Sequence, residues 1–174
     1  MTRIVFRQTR TPELPHSNGW SCSGMIASGC LSGLAVTAAA AWRARAEGQS
    51  GWKPINGISH ILWGPRAATE QHFTAQYTGS GLLLNAVACG FWGWLYGVIG
   101  QSKPAPHSYS QSAGRGIAVA ALAYITDYYL VPRRFTPGFE LTLSRRSFPW
   151  LYGALAVGLI LPDYLARQKS RSRP

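Results

Sequence analysis

The sequence predicts an all-α integral membrane bundle of about four transmembrane helices with one short interfacial helix. Three observations carry that expectation. Charged residues make up 13% of the 174, about half of the quarter typical of soluble domains. Long uncharged apolar runs alternate with connections rich in Pro, Gly and charge. Lys and Arg stand just outside those runs, as at Arg43 and Arg45, Arg133 and Arg134, and Arg145 and Arg146, where flanking charge holds helix ends at a headgroup layer. The mean hydropathy of -0.02 averages these runs with polar connections and a basic tail.

Residues 1–19 form a polar, basic segment in which Pro12 and Pro15 oppose a long helix. A transmembrane domain is expected over 20–166. Its first span, 20–42, carries no charge and is bracketed by Trp20 and Trp42, indoles that settle at headgroup level. Its length of roughly 33 Å slightly exceeds the ~30 Å hydrocarbon core. Gly29 and Gly33 form a GxxxG pair, with Gly24, Ser28 and Ser32 four apart, a spacing that lets another helix approach closely. Thr37 to Ala41 also resembles a signal-peptide cleavage region, and cleavage there would leave three spans. The long segment before it and the arginines directly after it favour retention.

The connection from Arg43 to Gln76 contains Ile55 to Trp63, read as a short interfacial helix. Ile55, Ile58, Ile61 and Leu62 would form its apolar side, with Asn56, Ser59 and His60 pointing elsewhere. The second span, 77–100, is uncharged and holds the pair Gly93 and Gly97. Gln101 to Ala113 reads as a loop through Pro104 and Pro106. A third span, 114–131, is stopped by Pro132. A fourth covers 148–166, of which Phe148 to Pro162 is free of charge. The tail 167–174 is basic and expected to be disordered. Four spans place both termini on one side with nine Lys and Arg, against eight in the other two connections. The charges next to span ends favour those connections, and the positive-inside rule weights near charges, so the connections are expected in the cytoplasm.

The net charge of +11 admits nucleic acid or an anionic membrane surface as partner. A nucleic-acid binder gathers its cations on one face; here they flank apolar runs, so anionic headgroups are the expected partner and nucleic acid is not. Cys22, Cys30 and Cys89 fall inside apolar runs without metal-ligand spacing and read as small buried residues. There is no Gly-rich phosphate loop, HExxH, CxxC or GxSxG, and neither catalytic residues, a metal nor a cofactor is expected.

Asp127 is the first candidate, because an ionisable group within a span is a functional hypothesis. Relay of protons, binding of a cation, or pairing with Arg133, Arg134 or an Arg of another helix are its open roles. Tyr124, Asp127 and Tyr128 share a helix face by i, i+3, i+4 spacing. Asn85, midway through the second span, is a candidate inter-helix contact or pathway residue. Asn56, Ser59, His60, Trp63 and His72 form a candidate interfacial site. His60 and His72 have a metal or haem reading, but their spacing across Gly64 and Pro65 fixes no geometry.

The stretches Asn56 to Gly64 and Thr126 to Glu140, with the aromatic second span between them, resemble a group of small multi-pass inner-membrane proteins of proteobacteria to which no activity is assigned. The similarity covers roughly residues 40–165. It implies a bacterial inner membrane. The group carries histidines midway through the second span, where this chain has Leu84 and Asn85, which weakens a histidine-based role. The expected function is therefore non-enzymatic: an accessory or scaffold subunit that associates through its helices with other membrane subunits or with itself. The alternatives are a small oligomeric transporter or channel using Asp127 and Asn85, and a redox protein using His60, His72 and Asp127.

Overall fold

The computed structural model describes residues 22–101 and 108–172. The polar segment 1–19, Trp20 and the loop residues 102–107 lie outside the described residues. Helix α1 spans Cys22–Ala46, α2 Lys53–Ile58, α3 His60–Trp63, α4 Tyr77–Gln101, α5 Tyr109–Ile125 and α6 Phe148–Arg171. Short 3-10 turns fill the connections, and the described residues contain no strand. Among the described residues, three stretches are long and apolar enough to cross a membrane: Cys22–Ala46, Tyr77–Gln101 and Arg145–Lys169. Helix α5, with seventeen α-helical residues, falls short of that length on its own.

Helix α1 is the hub and packs antiparallel against both α4 and α6. Ser28, Ser32, Val36, Ala40 and Ala44 recur every fourth residue and are buried, so one small-residue ridge runs the length of the helix. Against α4, the two GxxxG pairs meet. A Cβ on Gly93 would lie 2.5 Å from the Gly29 nitrogen and 2.7 Å from its Cα, and one on Gly97 would lie 2.5 Å from Met25 Cγ. Against α6, Ser28 Oγ donates to the Leu159 carbonyl at 3.1 Å. Ser32 Oγ donates to Ser28 at 2.6 Å and reaches the Leu155 carbonyl at 3.4 Å. Gly158 leaves no room for a Cβ beneath the Ser32 backbone. These contacts join main chain to main chain, which maximises dispersion where no hydrophobic effect drives helices together.

Helix α5 lies antiparallel to α6 and also touches α4. A capping box starts it: Ser108 Oγ accepts the Gln111 N–H, and Gln111 Oε1 accepts the Ser108 N–H. The expected loop to Ala113 is therefore corrected, because the helix begins at Tyr109. It continues through a π-helical turn, Thr126–Leu130, and ends as Val131 turns extended before Pro132. The tail is also corrected. Residues 167–171 continue α6, with Arg167 and Arg171 lying 5.0 and 5.6 Å from the Tyr109 ring.

The expected single helix over 55–63 is broken at Ser59 into α2 and α3. Asn56 and Ser59 do not form a polar outer face; both are fully buried beside Ile55 and Ile58. Helix α2 thereby closes one end of the bundle, with Gly81 of α4 giving way to the Ile55 carbonyl and Gly138 (φ +80°) to the Gly57 carbonyl. The cysteine expectation holds only for Cys89, since Cys22 and Cys30 sit on the outer surface of α1.

At that same end, Glu47 ties the exit of α1 to the entry of α6. Its Oε1 accepts Ser147 Oγ at 2.5 Å and Ser144 Oγ at 2.7 Å, and its Oε2 accepts the Ser144 N–H at 2.9 Å. Arg43 joins both partners, reaching Ser147 Oγ at 2.9 Å and Glu47 at 3.4 Å. Burial pushes the Glu47 carboxyl up, yet the Ser147 and Ser144 hydrogen bonds and the Arg43 charge together hold it below the usual 4.5.

Two outcomes follow for thermal unfolding in mild detergent. Gly93→Ala forces the Gly29 main chain away and lowers stability by about 1–3 kcal/mol. Gly79→Ala, where a Cβ meets open space, is neutral or raises stability by up to about 1 kcal/mol. Because the folded-state value of Glu47 is depressed, its contribution is present above 4.5 and lost as pH falls through the folded value. Glu47→Gln is expected to lose about 1–2 kcal/mol at pH 7 and to flatten the acid limb of stability against pH.

Candidate functional site

Four polar groups lie between the helices, and each has defined partners. Asn85 projects from α4 towards α1. Its Nδ2 donates to the Gly33 carbonyl at 3.0 Å and to Thr37 Oγ1 at 3.1 Å, and Cys89 Sγ approaches its Oδ1 at 3.7 Å. The amide thus fixes the register of α4 on α1, since sliding either helix by one residue would strand it in an apolar contact.

Asp127 lies on the π-helical turn that ends α5 and faces α6, where its Oδ2 accepts the Tyr152 hydroxyl at 2.7 Å. Pairing with Arg133 or Arg134 is corrected: among the described residues the ion pairs are Arg43–Glu47, His72–Glu70 and Arg115–Asp163. The π turn widens the helix and swings Asp127 towards α6 rather than towards the arginines beyond Pro132. Tyr124 and Tyr128 share its face. Tyr124 meets the Tyr152 ring edge-on at 5.3 Å, and Tyr128 stacks on Phe148 at 4.9 Å. Asn85 and Asp127 engage different helices, α1 and α6.

The largest polar cluster escaped sequence reasoning. Asp163 on α6 is 7% exposed. Its Oδ2 accepts Tyr96 Oη from α4 at 2.7 Å, and Ser112 Oγ and Arg115 Nη2 from α5 at 3.0 and 2.8 Å. The Arg115 guanidinium also lies 4.1 Å from the Tyr96 ring centre, a cation–π contact strengthened by desolvation. Arg167 Nη2 donates to Ser112 Oγ at 2.8 Å. Arg115 and Asp163 look like ordinary flanking charges in the chain. The available signal was their sign and depth: opposite charges, each set inside the helix end, on antiparallel neighbours.

The interfacial residues serve the end plug. Asn56 Nδ2 donates to the Glu70 and His72 carbonyls at 3.1 and 3.0 Å, and its Oδ1 accepts Thr78 Oγ1 at 2.6 Å. Ser59 Oγ donates to the Asn56 carbonyl at 2.7 Å, and Trp63 Nε1 donates to Ser80 Oγ at 3.0 Å. His60 Nδ1 lies 2.9 Å from the Gly57 carbonyl oxygen, whereas the exposed His72 pairs with Glu70 at 3.2 Å. The His72 main-chain N–H, at 2.8 Å, holds the Glu70 carboxyl below its usual range. The two histidines have separate partners.

A groove of about 920 Å³ lies between α5 and α6, near the upper end of the range for small-molecule sites. Tyr124, Tyr128, Phe148 and Tyr152 line its aromatic part, while Arg133, Glu140 and Arg145 stand at its rim. Comparison of the chain with protein-family models, curated proteins and solved structures returns no match.

Removing one member of the buried pair should be far costlier than trimming the hydroxyl bond. Asp163→Asn leaves Arg115 without its counter-charge and is expected to cost about 3–5 kcal/mol, whereas Tyr152→Phe costs about 1–2 kcal/mol. The double variant Asp163→Asn/Arg115→Gln is expected to recover part of the loss, which a double-mutant cycle of melting temperatures measures.

Proposed function

We propose that the chain crosses a membrane four times and acts without chemistry of its own, as an accessory or scaffold subunit that associates with other membrane proteins or with itself. The carrying observation is the division of polar and apolar groups. Asn85, Asp127, Asp163, Ser28 and Ser32 are engaged between helices, while large apolar residues point outward from all four long helices: Leu34 on α1, Leu83 and Val87 on α4, Ile117 on α5 and Val157 on α6. Such a girdle suits lipid or a partner helix better than water. The outward Ile117, Leu122 and Ile125 support a span for α5 as well, and its helical run from 109 to 130 amounts to about 33 Å.

The arginines at 43, 45, 133, 134, 145 and 146 all belong to the end closed by α2. Under the positive-inside rule that end faces the cytoplasm, and with the sequence resemblance this supports a bacterial inner membrane. The glycine pairs are used within the chain, so a partner would engage the outer apolar faces instead. A transporter is the second reading, favoured by one feature: Asp127 sits on a π-helical turn, a distortion frequent at functional sites.

Reporter fusions after residues 60 and 140 should agree, and should oppose fusions after 108 and 170. A fusion at 108 that agrees with 140 would remove α5 as a span. Extraction in mild detergent should bring down a defined membrane partner or an oligomer. A chain that travels alone and monodisperse would overturn the accessory role.

A further inference from the structure

The α1 side of the bundle is packed main chain to main chain, but the α5–α6 side is held by side chains and leaves the groove open. From Ile117 to Tyr129 its α5 wall runs about 18 Å, close to the roughly 15 Å depth of one hydrocarbon leaflet. The end of the groove away from the arginines is lined by Ala120, Ala121, Gly153 and Ala156, small residues that leave space between the helices, with the exposed Ile117 at its outer edge. Towards the closed end the wall becomes aromatic, and the rim becomes charged. Trp42 and Trp150, in edge contact at 5.3 Å, mark the same level on the neighbouring faces, the depth at which indoles sit beside headgroups.

The charged groups facing the groove are Arg133, Arg145 and Glu140. Glu140 accepts a hydrogen bond from the Thr136 hydroxyl. Both arginines are exposed and lie outside the ion pairs of the described residues. Two guanidiniums lining one groove, one following α5 and one preceding α6, are the donors that suit phosphate oxygens, and basic pockets between transmembrane helices bind anionic lipid headgroups. We infer that this groove holds one anionic glycerophospholipid, its phosphate between Arg133 and Arg145 and an acyl chain along the small-residue wall of α5 and α6. The site rests on the membrane reading above, but not on the accessory role.

The test uses the full chain in mild detergent, with native mass spectrometry and thermal melting in phosphatidylglycerol or phosphatidylcholine of identical acyl chains. The unaltered protein should retain phosphatidylglycerol about tenfold better, as two surface guanidiniums predict. Arg133→Gln/Arg145→Gln should bring that ratio near one. Lys53→Gln/Arg66→Gln removes equal charge elsewhere and should leave it unchanged. Gly153→Leu extends a side chain from a groove position where a Cβ meets open space, and should lower retention of both lipids while the melting curve without lipid stays intact. Equal retention of the two lipids by the unaltered protein would overturn the site, as would an unchanged ratio in the Arg133/Arg145 variant. So would loss of preference in the control, undiminished retention in Gly153→Leu, or equal stabilisation by inorganic phosphate alone. Any of these would leave the membrane spans standing, since the reporter fusions test those separately.

Discussion

At two points helix α1 brings its backbone directly against the backbone of a neighbour. Gly29 lies against Gly93 on one side and Ser32 against Gly158 on the other, and both contacts are too close for any larger residue. In a lipid setting, association depends on such dispersion and on hydrogen bonds, because the tails are as apolar as the side chains. With α4 and α6 both drawn onto α1, α5 packs against α6 and, less extensively, against α4. Its contacts are then made by longer side chains, and the space left over becomes the groove.

That geometry explains why the charges within the bundle gather on α5 and α6. Helix α5 has few glycines facing a partner, apart from Gly116 against Ile160, so polar anchors fix its position. The Asp163 cluster joins three helices near one end, and the Asp127–Tyr152 bond joins two near the other. Burying a carboxylate costs several kcal/mol unless it is paired. Asp163 is matched with a guanidinium and two hydroxyls on one oxygen, which offsets that cost and specifies the pairing of helices.

The helical class and the long apolar helices α1 and α4 were legible from long uncharged runs and from GxxxG spacing, because both are local. The reading of Asn85 as an inter-helix contact was legible too, since an amide inside an apolar run has few options. The end of α6 was not, because the run from Arg167 onward reads as a basic tail until Arg167 and Arg171 are found against the Tyr109 ring of α5. The same holds for Asn56 and Ser59. Their outward placement followed from helical periodicity, but the plug buries both faces of α2, a tertiary fact with no local signature. Pairing with Arg133, Arg134 or an Arg of another helix was among the roles open to Asp127, and its partner is instead the Tyr152 hydroxyl, 25 residues away in sequence.

The hydrogen bonds from Ser28 and Ser32 reach carbonyls 131 and 123 residues further along the chain. At a synthesis rate of about 5–20 residues per second, α1 is made roughly 6–25 s before those carbonyls exist. The α4 residues that meet Gly29 are made well before the carbonyls that Ser28 and Ser32 reach, so the serine ridge of α1 has its partners on the later-made helix. The last helix to emerge is then the one that closes the hub, and Glu47 waits at the exit of α1 for the Ser144 and Ser147 groups that lead it in. The helix made first among the described residues is thus completed by the one made last.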